Sequence, residues 1–274
     1  MARGGIARIW GVFAALAISA LVLAGGPVAA EDRYDLIRTE GVIRIGYALE
    51  APYAMVRDGQ VTGESPELAK LVAARLGIAD IDWVQVPFAE LIPGLSKGTF
   101  DAVAAGLFVT PERKRVVRFS EPTLRVAPGF LVRKGNPFGL LKYLDLLTRT
   151  EVRVAVLSGS VEERVLERRG ISPWRVRRVD DAETGRRLVA DGQADVLALS
   201  LPTVRWMAGD GLEAVAVGPE PGQPYPIFPV AFAFAKDQSR LARAWNTAQE
   251  EVLGEAEHLA RVAPFGFTAA DYEH

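Results

Sequence analysis

The chain contains no cysteine, only two histidines (His258 and His274), three methionines, and no strong excess of either charge. Each shortage excludes something. Without cysteine there is no disulfide, thiolate nucleophile or cysteine metal site, and no lipid-bearing cysteine of the bacterial lipoprotein kind. Two histidines, both near the C-terminus, leave nothing from which to build a histidine metal centre or a Ser-His-Asp triad. A formal net charge of −2 and a pI near 5.9 supply no basic field for nucleic acid or an anionic membrane. Long apolar runs are missing except for Ile9 to Leu23, which is shorter than a bilayer-spanning helix needs. That run follows Arg3 and Arg8, and it is followed by Gly25, Gly26 and Pro27 and then by the small residues Ala29 and Ala30. The pattern is that of a signal peptide over residues 1–30, cleaved after Ala30; an uncleaved membrane anchor is the rival reading. An exported chain without cysteine also avoids wrong disulfides.

What is present is ordinary globular material. The 274 residues are 49% hydrophobic and 24% charged, enough for one large domain or two smaller ones. Val42 to Tyr47 alternates as a strand, and Asp58-Gly59 marks a hairpin turn. Ser65, Pro66 and Gly77 predict a helix with Ser65 as its N-cap. Asp82 to Pro87 reads as a strand, Phe88 to Lys97 as a short helix, and Phe100 to Phe108 as a buried strand. The order then restarts: strand at Val152 to Leu157, turn at Ser158-Gly159-Ser160, helix at Val161 to Arg169. A strand at Trp174 to Val179, a helix at Ala182 to Asp191 and a strand at Ala194 to Leu199 follow. Gly98-Thr99-Phe100-Asp101 and Gly192-Gln193-Ala194-Asp195 hold equivalent points. Two similar α/β lobes with largely parallel sheets are the natural inference. Pro219 to Pro229 reads as a connection, Val230 to Ala235 as a strand, and Ser239 to Val262 as one or two amphipathic helices.

The segment from Phe88 to Pro122 carries the chemistry. Helix, glycine turn, buried strand and strand end bring Phe88, Phe108 and Arg113 toward one cleft. Two aromatic rings and a fixed cation suit a small ligand that carries both a carboxylate and a positive charge. The guanidinium fork can hold a carboxylate bidentately. Ring faces attract a delocalised, weakly hydrated cation by roughly 0.5–2 kcal/mol each. Glu50 follows the first strand, at the end where open α/β sheets place ligands. Glu162-Glu163 and Asp180-Asp181 read as helix-start charges rather than a glycosidase pair. Arg164, Arg168, Arg169, Arg175, Arg177 and Arg178 read as a solvated face, and Trp83, Trp174, Trp206 and Trp245 as packing.

Longer stretches resemble a known family. Gly59 to Leu68 (GQVTGESPEL), Leu91 to Asp101 (LIPGLSKGTFD) and Thr110 to Pro122 (TPERKRVVRFSEP) resemble the periplasmic solute-binding proteins of ABC importers, in the class that binds polar amino acids. Within that class Ala104 to Arg113, Gly135 to Leu140 and Pro264 to Thr268 are similar to the ectoine- and hydroxyectoine-binding branch. The resemblance implies a type II two-lobed α/β fold, each lobe a mixed sheet flanked by helices. Lobe one would be 31–126 plus 229–274 and lobe two 127–228, with hinges near Arg125 to Ala127 and Pro226 to Pro229. It implies an aromatic cage of Tyr53, Phe88 and Phe108, with Glu50 on the ligand's N–H side and Arg113 on its carboxylate. The Gly159-Ser160-Val161-Glu162 turn would add backbone N–H groups to the carboxylate site. The family usually has Thr where Val161 stands, an Asp near Ser200, and hydroxyls near Gly106 and Phe108. Their loss here argues for an ectoine-like zwitterion over an ordinary α-amino acid. The expected partners are that ligand and an ABC permease of the inner membrane, with no nucleic acid, for a periplasmic monomer that needs neither metal nor cofactor and is not an enzyme. The alternatives are a polar amino-acid or betaine binder, an enzyme on the same fold (dehydratase or lytic transglycosylase) and a sensor domain. N-terminal sequencing of the exported protein should begin at Glu31; a different start would reject cleavage after Ala30.

Overall fold

Apolar residues at alternate positions, punctuated by capping residues and glycines, divide the chain into strands and helices in strict succession. The structure is a computed structural model and describes residues 32–222 and 226–272; the signal peptide expected over 1–30 lies outside them. In chain order the first half runs α1 (Arg33–Glu40), β1 (Val42–Tyr47), β2 (Met55–Arg57), β3 (Gln60–Thr62), α2 (Glu64–Arg75), β4 (Asp80–Gln85), α3 (Leu91–Ser96), β5 (Ala102–Val103), α4 (Pro111–Val116), β6 (Val117–Phe119) and β7 (Leu124–Val126). It continues with β8 (Pro128–Arg133), α5 (Tyr143–Thr148), β9 (Val154–Leu157), α6 (Val161–Arg168), β10 (Val176–Val179), α7 (Ala182–Ala190), β11 (Val196–Ser200), α8 (Leu201–Met207) and β12 (Leu212–Ala216). The chain ends with β13 (Phe228–Val230), β14 (Ala233–Ala235), α9 (Ser239–Val252) and α10 (Ala256–Val262).

Two mixed sheets result, of order β4-β1-β5-β14-β6 and β10-β9-β11-β8-β12. In the first, β1 runs parallel to β4 and β5, while β14 is antiparallel to β5 and β6. In the second, β9 runs parallel to β10 and β11, while β8 is antiparallel to β11 and β12. The sheets are therefore copies of one plan, and the repeat read from the sequence is real. The copies differ in the source of the fourth strand. β14 comes from the far end of the chain, whereas β8 immediately precedes its own unit. The sheets are mixed rather than largely parallel because β14 in the first and β8 in the second run against both of their neighbours.

The paired Gly-x-x-Asp segments explain why both copies close alike. The Asp101 carboxylate accepts the Arg44 backbone N–H at 3.0 Å and the Arg44 and Arg33 side chains at 2.7 and 2.8 Å. The Asp195 carboxylate accepts the Arg153 N–H at 2.9 Å and the Arg153 and Arg133 side chains at 2.9 and 3.0 Å. Each aspartate thus ties the third parallel strand to the start of the first, and both carboxyls are held below the usual aspartate range, desolvation being outweighed by the arginine donors.

Some local expectations change. Ser65 is not the cap: α2 starts at Glu64 after Gly63. The Ser65 hydroxyl donates to Glu64 at 2.7 Å and accepts the Gly106 N–H at 3.1 Å, which ties α2 to the loop after β5. The expected strand from Phe100 to Phe108 shortens to Ala102–Val103, with Phe108 rejoining by a bridge to Val230. Arg175 is buried and donates to the carbonyls of Leu146, Arg149 and Val152, so it closes the end of α5 rather than facing solvent. Trp245 lies in the first sheet's core against Phe232 and Phe234, whereas Trp174 is 74% exposed and packs on little. The chain leaves the first sheet through β7 and returns through β13, and these two strands pair antiparallel as a ribbon. Asp101→Ala and Asp195→Ala should each cost ~2–4 kcal/mol in urea unfolding, since each strands partly buried arginines and a backbone N–H. A loss below ~0.5 kcal/mol would show that the clamps are dispensable.

Candidate functional site

The repeat places corresponding elements on opposite sides of one cleft. β5 leads into α4, and β11 leads into α8. Each helix has a hydroxyl cap and proline in its first turn: Thr110 accepts the Arg113 N–H at 3.2 Å, and Ser200 accepts the Thr203 N–H at 3.3 Å. Arg113 and Thr203 therefore hold the same third position of equivalent helices. Each reaches across to the segment that follows the other unit's first strand. Arg113 Nη2 donates to the Gly159 carbonyl at 3.0 Å, and Thr203 Oγ1 donates to Glu50 Oε1 at 2.8 Å. Arg113 Nη1 also donates to the Phe108 carbonyl at 2.8 Å, and the guanidinium sits 5.7 Å from the centre of the Phe88 ring.

Between these contacts Glu50, Phe88, Gly106, Phe108, Arg113, Ser160, Val161, Glu162, Leu199 and Ser200 enclose a cavity of about 10 Å³. That is room for about one water, so a solute enters only when the two sides part. A groove of about 420 Å³ shares Phe88 and Arg113 with the cavity and opens past Gly159, Arg115 and Arg164. Of the sequence-predicted residues, Glu50, Phe88, Phe108, Arg113, Ser160, Val161, Glu162 and Ser200 line the cavity, and Gly159 stands at its edge. Tyr53 stands behind it. A Cβ on Gly106 would lie 2.4 Å from the Tyr53 ring, so the glycine lets the ring support the wall, and its φ of +63° is one that few other residues adopt. The Tyr53 ring also packs on Phe267 at 5.9 Å, while Phe108 stacks on Phe228 at 5.2 Å. Burial pushes the Tyr53 hydroxyl well above the usual tyrosine range, with Ser200 opposing the rise, and the hydroxyl has no partner at hydrogen-bond geometry among the described residues.

The turn departs from its expected role at its first two residues. The Gly159 N–H is taken by Glu163 at 2.7 Å and the Ser160 N–H by the Leu157 carbonyl at 3.1 Å, so neither is available to a ligand carboxylate. Ser160 instead caps α6 by accepting the Glu163 N–H at 3.1 Å. Gly159 is where the two sides touch, since a Cβ there would meet Ala89 Cα at 2.9 Å. Glu162 is no solvated helix-start charge: its side chain is buried against the cavity. The sequence reading missed Thr203; its place, matching Arg113 after the strand opened by Asp195, is the signal that finds it.

The electrostatics are those of a desolvated site. Burial pushes the Glu50 carboxyl up to about 8 against the Thr203 hydrogen bond, with Glu162 adding to the rise and Arg113 opposing it. Burial likewise pushes Glu162 up to about 7, opposed by its own backbone N–H, Arg113 and Ser160. Arg113 is lowered to about 10 by burial and stays cationic at neutral pH. These groups can meet a ligand bearing one carboxylate and one cation.

A model of the bacterial extracellular solute-binding proteins, family 3, matches residues 43–260. A probable amino-acid ABC transporter periplasmic-binding protein of Sinorhizobium fredii is 30% identical over 267 residues, covering 95% of this chain and 87% of its own. The membrane-bound lytic murein transglycosylase F of Aeromonas salmonicida is 32% identical over 169 residues, covering 60% of this chain and 33% of that protein. The crystal structure of EhuB in complex with hydroxyectoine superposes with a TM-score of 0.79 at 31% identity, covering 87% of this chain and 93% of that one.

The raised carboxyls make stability depend on pH in a definite sense. Between the ordinary glutamate pKa and about 8, folded Glu50 and Glu162 hold protons that the unfolded chain has released, so stability falls as pH rises through that window. Asp101 and Asp195 act oppositely, their contribution being lost as pH falls through their lowered pKa values. The ligand-free protein should therefore melt highest in mildly acidic buffer and lose several degrees by about pH 8.5, and Glu50→Gln should flatten that loss. A melting temperature that rises steadily from about pH 5.5 to about pH 8.5 would contradict the burial of these carboxyls.

Proposed function

The chain belongs to the bacterial extracellular solute-binding proteins of family 3, and on that footing we propose that its ligand is a small zwitterionic compatible solute of the ectoine or hydroxyectoine kind. It is a solute-binding protein for ABC-type uptake of amino-acid-like ligands, with a small-molecule ligand and a permease as its partners, and it has the type II fold of that family. Membership implies a location outside the cytoplasm, in the periplasm. The signal peptide over 1–30, the inner-membrane position of the permease and the monomeric state complete the reading. So does the absence of catalysis. On this reading the lobes divide at 126/127 and 228/229, and the antiparallel pairing of β7 with β13 supports a hinge at these two crossings.

The observation that carries the ligand class is the cavity's chemistry. Arg113 is buried, its guanidinium donates among the described residues to carbonyls alone, and it sits beside Phe88 and Phe108. Neither Gly106 nor Phe108 has a hydroxyl to offer an α-amino acid, and Ser200 replaces the acid that would pair its ammonium. A delocalised cation between the two rings, with its carboxylate on Arg113, satisfies the site without those groups. Opening about the ribbon admits the ligand, and contacts to both sides favour the shut state that a permease recognises. The likeness to EhuB bound to hydroxyectoine supports the same ligand class.

A thermal-shift panel of ectoine, hydroxyectoine, glycine betaine and the common amino acids tests this. Ectoine or hydroxyectoine should give the largest stabilisation, and a larger shift from an α-amino acid would overturn the reading. Arg113→Lys keeps the charge but loses the fork, and it should weaken ectoine at least about tenfold in calorimetry. Unchanged affinity would remove the arginine from the site.

A further inference from the structure

Glu64 opens α2 as its first residue after Gly63. A glutamate there ordinarily serves the helix dipole from the surface. Glu64 is instead fully buried, and its carboxyl is met by hydroxyls: Ser65 Oγ donates to Oε2 at 2.7 Å and Tyr272 donates to Oε1 at 3.4 Å. The start of α2 touches both chain segments that border the cavity. The Glu64 and Ser65 N–H groups donate to the Pro52 and Tyr53 carbonyls at 3.0 and 3.1 Å, just after Glu50. Gly63 permits this approach, since a Cβ there would lie 2.5 Å from the Tyr53 carbonyl oxygen. On the other side the Gly106 N–H donates to Ser65 Oγ at 3.1 Å, and Gly106 lines the cavity. A glycine is the residue least able to hold its own backbone conformation, so an anchor from outside decides how the planar Ala105–Gly106 peptide lies. A carboxylate has acceptors and no donor. It turns the Ser65 O–H toward itself and leaves the oxygen lone pairs to the Gly106 N–H. An apolar side chain in its place would free the hydroxyl to rotate and to donate elsewhere.

We propose that Glu64 is a positioning residue for ligand binding, which acts through Ser65 to hold the Gly106 wall in the shape the solute meets. The inference rests on reading this cavity as the ligand site and deepens it. Glu64 is not among the residues that line the cavity, and its effect reaches the wall over two hydrogen bonds. The arrangement separates affinity from stability. Replacing a buried carboxyl by an apolar side chain of similar volume often costs folding little, because the desolvation of the acid is relieved. The orientation of the Ser65 hydroxyl is then lost where it matters, at a wall that has to match a ligand.

Calorimetry with ectoine on wild type, Glu64→Gln, Glu64→Met, Ser65→Ala and the Glu64→Met/Ser65→Ala double variant tests the role, together with the Gly106 amide resonance of each unliganded protein. Glu64→Met and Ser65→Ala should each weaken ectoine about fivefold to tenfold, the scale of one hydrogen bond. Glu64→Gln keeps an acceptor for Ser65 and should stay within about twofold of wild type. The double variant should bind as Ser65→Ala does, because Glu64 acts through that hydroxyl. The Gly106 resonance should move in Glu64→Met and Ser65→Ala and hold its place in Glu64→Gln. A role confined to folding would change the melting temperature and leave affinity and the resonance alone, which would overturn the proposal. Losses that add in the double variant, or wild-type affinity in Glu64→Met, would do the same. If Glu64→Met does not fold, Glu64→Ala takes its place in each comparison. If the wild type binds L-arginine and not ectoine, the compatible-solute reading falls alone, and the same ratios measured with L-arginine decide the role of Glu64. A wild type that binds neither overturns both.

Discussion

Two hydrogen bonds that mirror each other hold the shut cleft, and the rest of the site is arranged around them. Arg113 reaches the Gly159 carbonyl, and Thr203 reaches the Glu50 carboxyl. Each donor sits at the third residue of a helix that follows the Asp-opened strand of its sheet. Each acceptor lies just after the first strand of the opposite sheet. The internal repeat therefore produces a reciprocal clasp. The two crossings differ in chemistry, one guanidinium to carbonyl and one hydroxyl to carboxyl, and this asymmetry makes a polar cavity with a carboxyl end and a cation end.

The clasp works only because the sheets beneath it are rigid. Asp101 and Asp195 lock the strands that launch α4 and α8, so the position of Arg113 and Thr203 is inherited from half-buried ion pairs in the two sheets. Gly106 and Gly159 then let backbone come close where a side chain would hold the walls apart. The Ser65 hydroxyl ties the Gly106 loop to α2, which fixes the wall against which Tyr53 leans. Structural groups and ligand-facing groups are distinct here, though they alternate along the same few segments.

Much of this was legible in the sequence for identifiable reasons. The twin Gly-x-x-Asp segments revealed the repeat because a clamp of backbone and arginine demands that spacing. Arg113, Phe88 and Phe108 were legible because a proline-capped helix after a buried strand has few places to point its first turn. What stayed hidden depended on contacts far apart in sequence. Ser65 looks like a cap until the Gly106 amide claims its hydroxyl. Arg175 looks like one of several surface arginines until three carbonyls from around α5 converge on it. Glu162 and Glu163 are alike as letters, and only the direction in which α6 leaves the turn decides which is solvated and which is buried in the cleft. β8 and β12 pair with strands whose own sequence gives no sign of the partner, so the antiparallel half of the second sheet could not be read in advance.

The central claim is that a zwitterion is held between the two units by groups already in place. A crystal structure of the protein grown with ectoine tests it most directly. The account predicts the ligand carboxylate on the Arg113 guanidinium and the ring between Phe88 and Phe108, with its N–H groups toward Glu50. Ligand density outside this cavity, for instance in the groove past Arg115 and Arg164, would contradict it.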